Sequence, residues 1–112
     1  VNPDPDVFFA AHVKQFRAFL PEATIRPIAA DDEIYRCFFE LKKLPHHYMD
    51  GYYDERWAKH PLYAVECQGR MVAIISLSGL KCGVSWGNQI SPELPGQCMQ
   101  MLVNIYVYAA TH

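Results

Sequence analysis

Four cysteines and five histidines carry most of the chemistry open to this chain, and their spacing narrows it. The cysteines stand at 37, 67, 82 and 98, so no CxxC or CxxH pair is available for a structural zinc site. Two disulfides are allowed by count, in three pairings. Cys37 and Cys98, however, fall on apolar helical faces and Cys67 ends a strand, so four free and mostly buried thiols are expected. For nucleophilic catalysis the candidate is Cys82 with His60 or His47. A reactive thiol needs an electropositive, partly open setting, to which Lys81 contributes only slightly. No G-x-S-x-G or G-x-C-x-G elbow occurs, which argues against acyl transfer by this chain alone.

Metal ligation has two places to be sought. HHYMDGYYDERWAKH brings together His46, His47, His60, Asp50, Asp54 and Glu55, but no HxxxH pair lies within one clear helix, and adjacent histidines point apart. A solvated loop is the reading there. In NPDPD, Asn2, Asp4 and Asp6 alternate like ligands for a hard cation. Helix capping accounts for Asp4 and Asp6 without an ion, so no metal and no cofactor is expected. The remaining candidate is GLKCGVSWGNQI (79–90), where Cys82, Trp86 and Asn88 share a glycine-rich stretch with no helical or strand period.

The elements that would position these residues follow from periodicity. Asp4-Pro5 opens a helix as cap and first-turn proline, Val7, Phe9, Val13, Phe16 and Leu20 recur at helical spacing, and Pro21 stops it. ATIRPI (23–28) is a short extended segment whose Pro27 favours an edge or a strand end. Asp31 or Asp32 caps a short turn carrying Ile34, Cys37 and Phe38, and a polar, aromatic loop runs from Lys42 to His60. LYAVEC and RMVAIISL form a hairpin about Gln68-Gly69. Because Ile74, Ile75 and Leu77 do not alternate strictly, the second strand is expected to be central and covered on both faces. The clearest helix spans 93–110, with Leu94, Cys98, Met101, Leu102, Ile105, Tyr108 and Ala109 in one stripe. Residues 79–90 then form a loop at the carboxyl end of the second hairpin strand, where open α/β sheets bind ligands. Trp86 is expected to be mostly buried there, plugging the sheet against Leu102 and Ile105.

Composition bounds the partners. A chain of 112 residues that is 51% hydrophobic and 20% charged is one globular domain. Its formal charge of −2 and scattered lysines and arginines provide no stripe for a phosphate backbone, which argues against nucleic acid. No apolar run approaches the roughly 18 residues of a membrane span. The first residue is Val1 rather than Met, which leaves room for a removed leader or upstream segment. With a leader the setting is the periplasm or outside the cell; otherwise it is the cytoplasm.

Motifs spread from end to end carry a resemblance. NPDPDVFF is similar to the stretch that follows a GG-F-L-x-x-DD strand in the second half of the bacterial family called domain of unknown function 4159. FRAFLPEATIRPIAADDEIYRCFFEL resembles that family's FP-x-x-x-L-x-x-L-P-x-x-HPIY-x-x-FF segment. GRMVAIIS, the Cys82-to-Trp86 stretch and LVNIYVYAAT resemble its GR-x-x-V-I-Y-S, C-x-W and G-V-N-I-x-V-Y-A-L-T segments. The resemblance implies a flavodoxin-like sheet akin to class I glutamine amidotransferases, a likeness of fold that carries no activity with it. Asp32-Glu33 replaces the family's His-Pro, so any role of that histidine is lost or replaced. The family's first half has no counterpart here.

The expectation is therefore a partial flavodoxin-like α/β domain spanning 1–112, two amphipathic helices around a small sheet, forming the C-terminal part of a larger domain. Its function is expected to be that of a non-catalytic binding or assembly module. The alternative is a hydrolase-like or amidotransferase-like domain with Cys82, Trp86, Asn88, Asn2, Asp4 and Asp6 around one crevice. Exposed aromatics (Phe8, Tyr52, Tyr53, Trp57) are expected to meet the chain's own missing half, a second copy or an envelope complex.

Overall fold

The computed structural model describes residues 4–48 and 53–112. Helix α1 (Pro5–Phe19) begins as the sequence predicts: the Asp4 carboxylate accepts the Asp6 N–H at 2.9 Å, and Pro5 fills a first-turn position that needs no donor. Strand β1 (Thr24–Pro27) follows, and Asp32 caps a 3-10 turn at Glu33–Tyr35 by accepting the Ile34 N–H. The short helix α2 (Glu55–Ala58) interrupts the stretch read as a loop, with Asp54 as its cap. Met49, Asp50, Gly51 and Tyr52 lie outside the described residues.

The hairpin forms as predicted, β2 (Tyr63–Cys67) pairing antiparallel with β3 (Arg70–Ile75) about a turn in which Gln68 and Gly69 have φ of 55° and 76°. The strand order β1-β2-β3 makes β2 central and β3 an edge, which reverses the expectation for β3. Its unbroken apolar run reflects a bulge instead. Val65 opposes Ala73 while Glu66 opposes Met71, so Val72 is left over and stands 52% exposed.

Alternation along the strands divides the core between the two faces of this sheet. On one face Val65, Ile75 and Leu77 pack with Phe9, Phe16 and Leu20 of α1 and with Trp57. Val7, read as part of the α1 stripe, is exposed. On the other face Ala64 and Ile28 pack with Ile34, Tyr35, Leu62 and helix α4 (Leu94–Thr111), whose Cys98, Met101 and Tyr108 are buried. The result is a mixed α/β domain with helices on both faces of a three-stranded antiparallel sheet.

Residues 79–90 are not a loop. They form helix α3 (Leu80–Trp86) and a 3-10 turn at Gly87–Gln89. Glycines hid the helical period because they occupy its inward stripe: Leu80, Gly83 and Gly87 are the buried positions. A Cβ at Gly83 would overlap the Cys98 Sγ and lie 3.3 Å from the Cys98 Cβ, so the missing side chain is what lets α3 close onto α4. Gly79 starts α3 at φ 71°, where an added Cβ would come within 2.7 Å of the His47 carbonyl oxygen. Trp86 lies outside this inward stripe and is 59% exposed, contrary to the plug expected.

The four cysteines are free, as expected, but only Cys98 is buried; Cys37 and Cys67 are half-buried and Cys82 is exposed. Asn104, fully buried on α4, accepts the Phe39 N–H and donates to the Phe39 carbonyl, both at 2.8 Å. It ties the segment after the 3-10 turn to the helix as a strand neighbour would.

Candidate binding cleft

The candidate catalytic and ligand residues read from the sequence do not meet in one hollow. Asp4 is spent on capping α1. Asp6 binds Lys59 (3.1 Å) and His60 (2.8 Å) on the α1 side of the molecule. Cys82 lines a groove with Ile74, Leu102 and Ile105, on the α4 side of the sheet. Trp86 and Asn88 are exposed at the end of α3 and in the turn that follows. Asn2 lies outside the described residues.

His60, expected in a solvated loop, is buried, and both ring nitrogens are engaged. Nε2 meets Asp6 Oδ1 at 2.8 Å and Nδ1 meets the Tyr63 hydroxyl at 2.7 Å. The tautomer that satisfies both has Nε2–H donating to Asp6 while Nδ1 accepts from Tyr63. Phe9 stacks on Tyr63 with centroids 4.1 Å apart, so the array pins α1 to β2 rather than offering a free base. The hydrogen bonds from Lys59 and then His60 hold the Asp6 carboxyl below its ordinary range, while burial pushes the Tyr63 phenol up.

A cleft of about 530 Å³ lies elsewhere, between the segment 42–48, the end of α2 and the first turn of α4. Its walls divide by chemistry. Ile28, Leu44, Pro45, Pro61 and Leu94 make it apolar, and Tyr35, Tyr48 and Tyr53 add phenols. Lys42 and Lys43 bring cationic heads and Gln97 brings an amide, while Lys59 lines the cleft but pairs its ammonium with Asp6. No Asp or Glu lines it among the described residues.

Local structure explains why 42–48 forms this wall. The His47 N–H donates to the Ser78 carbonyl at 2.7 Å, and the His47 Cβ lies against Gly79 and Gly83. Pinning His47 to the α3 side leaves its neighbour His46 to line the cleft. The His46 ring stacks on Tyr48 at 5.4 Å with 7° between planes. Burial, aided by the Lys43 charge, lowers its pKa to about 4, so the ring is neutral at pH 7. Its Nδ1 is buried with no hydrogen-bond partner among the described residues. Burial likewise raises the Tyr48 and Tyr35 phenols, which stay protonated and able to donate.

Lys42 and Lys43 have no ion-pair partner among the described residues. Among the described residues no group of three or more His, Cys, Asp or Glu is placed to hold a metal. The signal for this cleft was present in KKLPHHY, a run of two lysines and two histidines with no acid in it.

The chain belongs to the family described as Domain of unknown function (DUF4159), whose model matches residues 5–110. That match supports the resemblance read from motifs along the whole chain. No curated protein and no solved structure matches it at a significant level. Among the described residues no helix is long and apolar enough to cross a membrane.

Proposed function

We propose that this domain is a non-catalytic binding module whose cleft at Lys42–Tyr48 holds a small organic anion with an apolar or aromatic body. One observation carries the reading: Lys42 and Lys43, neither ion-paired among the described residues, line a cleft of about 530 Å³ that no described carboxylate lines and whose other walls are mainly apolar and phenolic. Small-molecule sites commonly fall between roughly 300 and 1,000 Å³ and combine apolar walls with a few polar groups. The hydrolase-like or amidotransferase-like alternative would need Cys82, Trp86, Asn88, Asp4 and Asp6 on one crevice with an available base, and the engaged His60 gives it little support. At a larger scale the domain is part of a bacterial, flavodoxin-like assembly completed by an upstream half or a second copy, in the periplasm where a leader directs it there. Helices on both faces of the sheet agree with that wider reading, whereas the antiparallel pairing of all three strands departs from a parallel flavodoxin-like sheet.

The test is a titration followed by amide NMR, using aryl carboxylates and aryl phosphates against their neutral amide and alcohol analogues. The anions should bind saturably, shift resonances of residues 42–48 and weaken as salt rises. Lys42→Glu with Lys43→Glu should lower affinity about tenfold or more, since each exposed charge contributes up to ~1 kcal/mol and reversal counts twice. Equal binding by neutral analogues, or indifference to the double reversal, would overturn the proposal.

A further inference from the structure

The two edges of the sheet are protected very differently. β1 is four residues long, ends in Pro27, and covers its face with the Arg26–Glu66 pair at 2.7 Å. Short length, proline and charge are the usual means of keeping an edge from pairing with other chains. β3 is six residues long, contains no proline and carries its only charge at Arg70, so the bulge at Val72 is the one protective feature it has. β2 pairs with one side of it, and among the described residues no backbone bond closes the other.

Beside this open edge lies the groove of about 430 Å³ formed by Ile74, Leu80, Cys82, Leu102 and Ile105. Ile74 shares the α4 side of the sheet with Ala64, its cross-strand partner. A strand added next to β3 would therefore place alternate side chains in the groove while its backbone used the unpaired ladder. Charge marks both ends of the site. Arg70 starts the strand and Lys81 lies at the groove near the strand's other end, both exposed and neither ion-paired among the described residues.

We propose that β3 is a docking edge for an extended partner segment of about six β-branched residues, alternately apolar, flanked at each end by an acidic residue and bound as a fourth strand. The charge pattern selects this occupant over a second copy. Two β3 strands paired antiparallel about a two-fold axis would bring each Arg70 toward the Lys81 end of its mate, like charge against like. The inference stands apart from the anion cleft, which lies on other residues.

The probe is an eight-residue peptide of six alternating Val and Thr between terminal Glu residues, compared with the same peptide ending in Lys. The Glu-ended peptide should bind the whole chain and slow amide exchange at residues 70–75. The Lys-ended one should bind about tenfold more weakly, the scale that two exposed ion pairs reach. Arg70→Glu with Lys81→Glu, both surface changes that leave the core intact, should exchange that preference. The proposal is overturned if the two peptides bind equally, or if neither alters exchange at 70–75 up to millimolar concentration. It is also overturned if 70–75 become protected simply on raising the protein concentration as dimers appear by light scattering, because the occupant is then a second copy.

Discussion

Replacing Gly83 with alanine sets two well-measured effects against each other. Taking a glycine out of a helix interior favours folding by about 1 kcal/mol. At Gly83 the new methyl would overlap the Cys98 Sγ and lie 3.3 Å from the Cys98 Cβ and 3.4 Å from the His47 Cβ. The overlap with the sulfur is the severest of the three. Cys98 is fully buried in the core between α4 and the sheet, so α3 must move as a body to relieve it. Overpacking of this kind costs about 1–3 kcal/mol. The difference leaves Gly83→Ala between neutral and about 2 kcal/mol destabilised, at the upper end a drop of roughly ten degrees in melting temperature for a domain of this size. Urea unfolding of Gly83→Ala, Cys98→Ala and the double variant separates the two effects. With the sulfur gone, the second substitution should cost at least about 1 kcal/mol less than in the parent. A Gly83→Ala protein that gains the full helix-propensity increment, or a strictly additive cycle, would refute glycine-mediated packing of α3 on α4.

Asn104→Ala should cost about 1–3 kcal/mol by urea unfolding, because it removes two hydrogen bonds from a fully buried side chain to the half-buried Phe39 backbone; a loss under about 0.5 kcal/mol would mean the tie is not structural. His46 gives a pH signature. Its folded pKa of about 4 lies below the ordinary 6.5, so between those values only the unfolded chain carries the proton, and stability falls as pH drops through that window. The loss by pH 4 should be roughly 2 kcal/mol once partial exposure is discounted. His46→Gln should flatten urea midpoints across the window yet keep the decline below about pH 4 owed to Asp6 and Asp54, whose carboxyls are held low; an unchanged slope contradicts the burial of His46. Trp86→Ala should change stability by under about 1 kcal/mol, since the indole is 59% exposed, and a loss of several would restore it to the core.

Local rules carried the reading wherever a residue acts on its own neighbourhood. Asp4 and Pro5 start α1, Gln68-Gly69 turns the hairpin, Pro27 ends an edge strand, and the apolar stripe of α4 is visible in its spacing; each depends on backbone geometry or a period that a short stretch contains. Burial of a particular side chain depends instead on what arrives from elsewhere in the chain. Glycines at 83 and 87 look like breaks until α4 is seen to need their space, and that displaced Trp86 from the core to the surface. β3 reads as a central strand until the register with β2 shows a bulge and an empty outer side. The cleft is the furthest from local legibility. Lys42, Lys43 and His46 are contiguous enough to notice, but Lys59, Gln97 and the neutral state of His46 come together only because His47 anchors the segment to Ser78 and α3. Composition and spacing determined α1, the hairpin and α4 with their ends, though not α2 or α3; contacts between residues far apart in the chain decided which faces were left open, because a sequence records periods within an element and only packing records which elements meet.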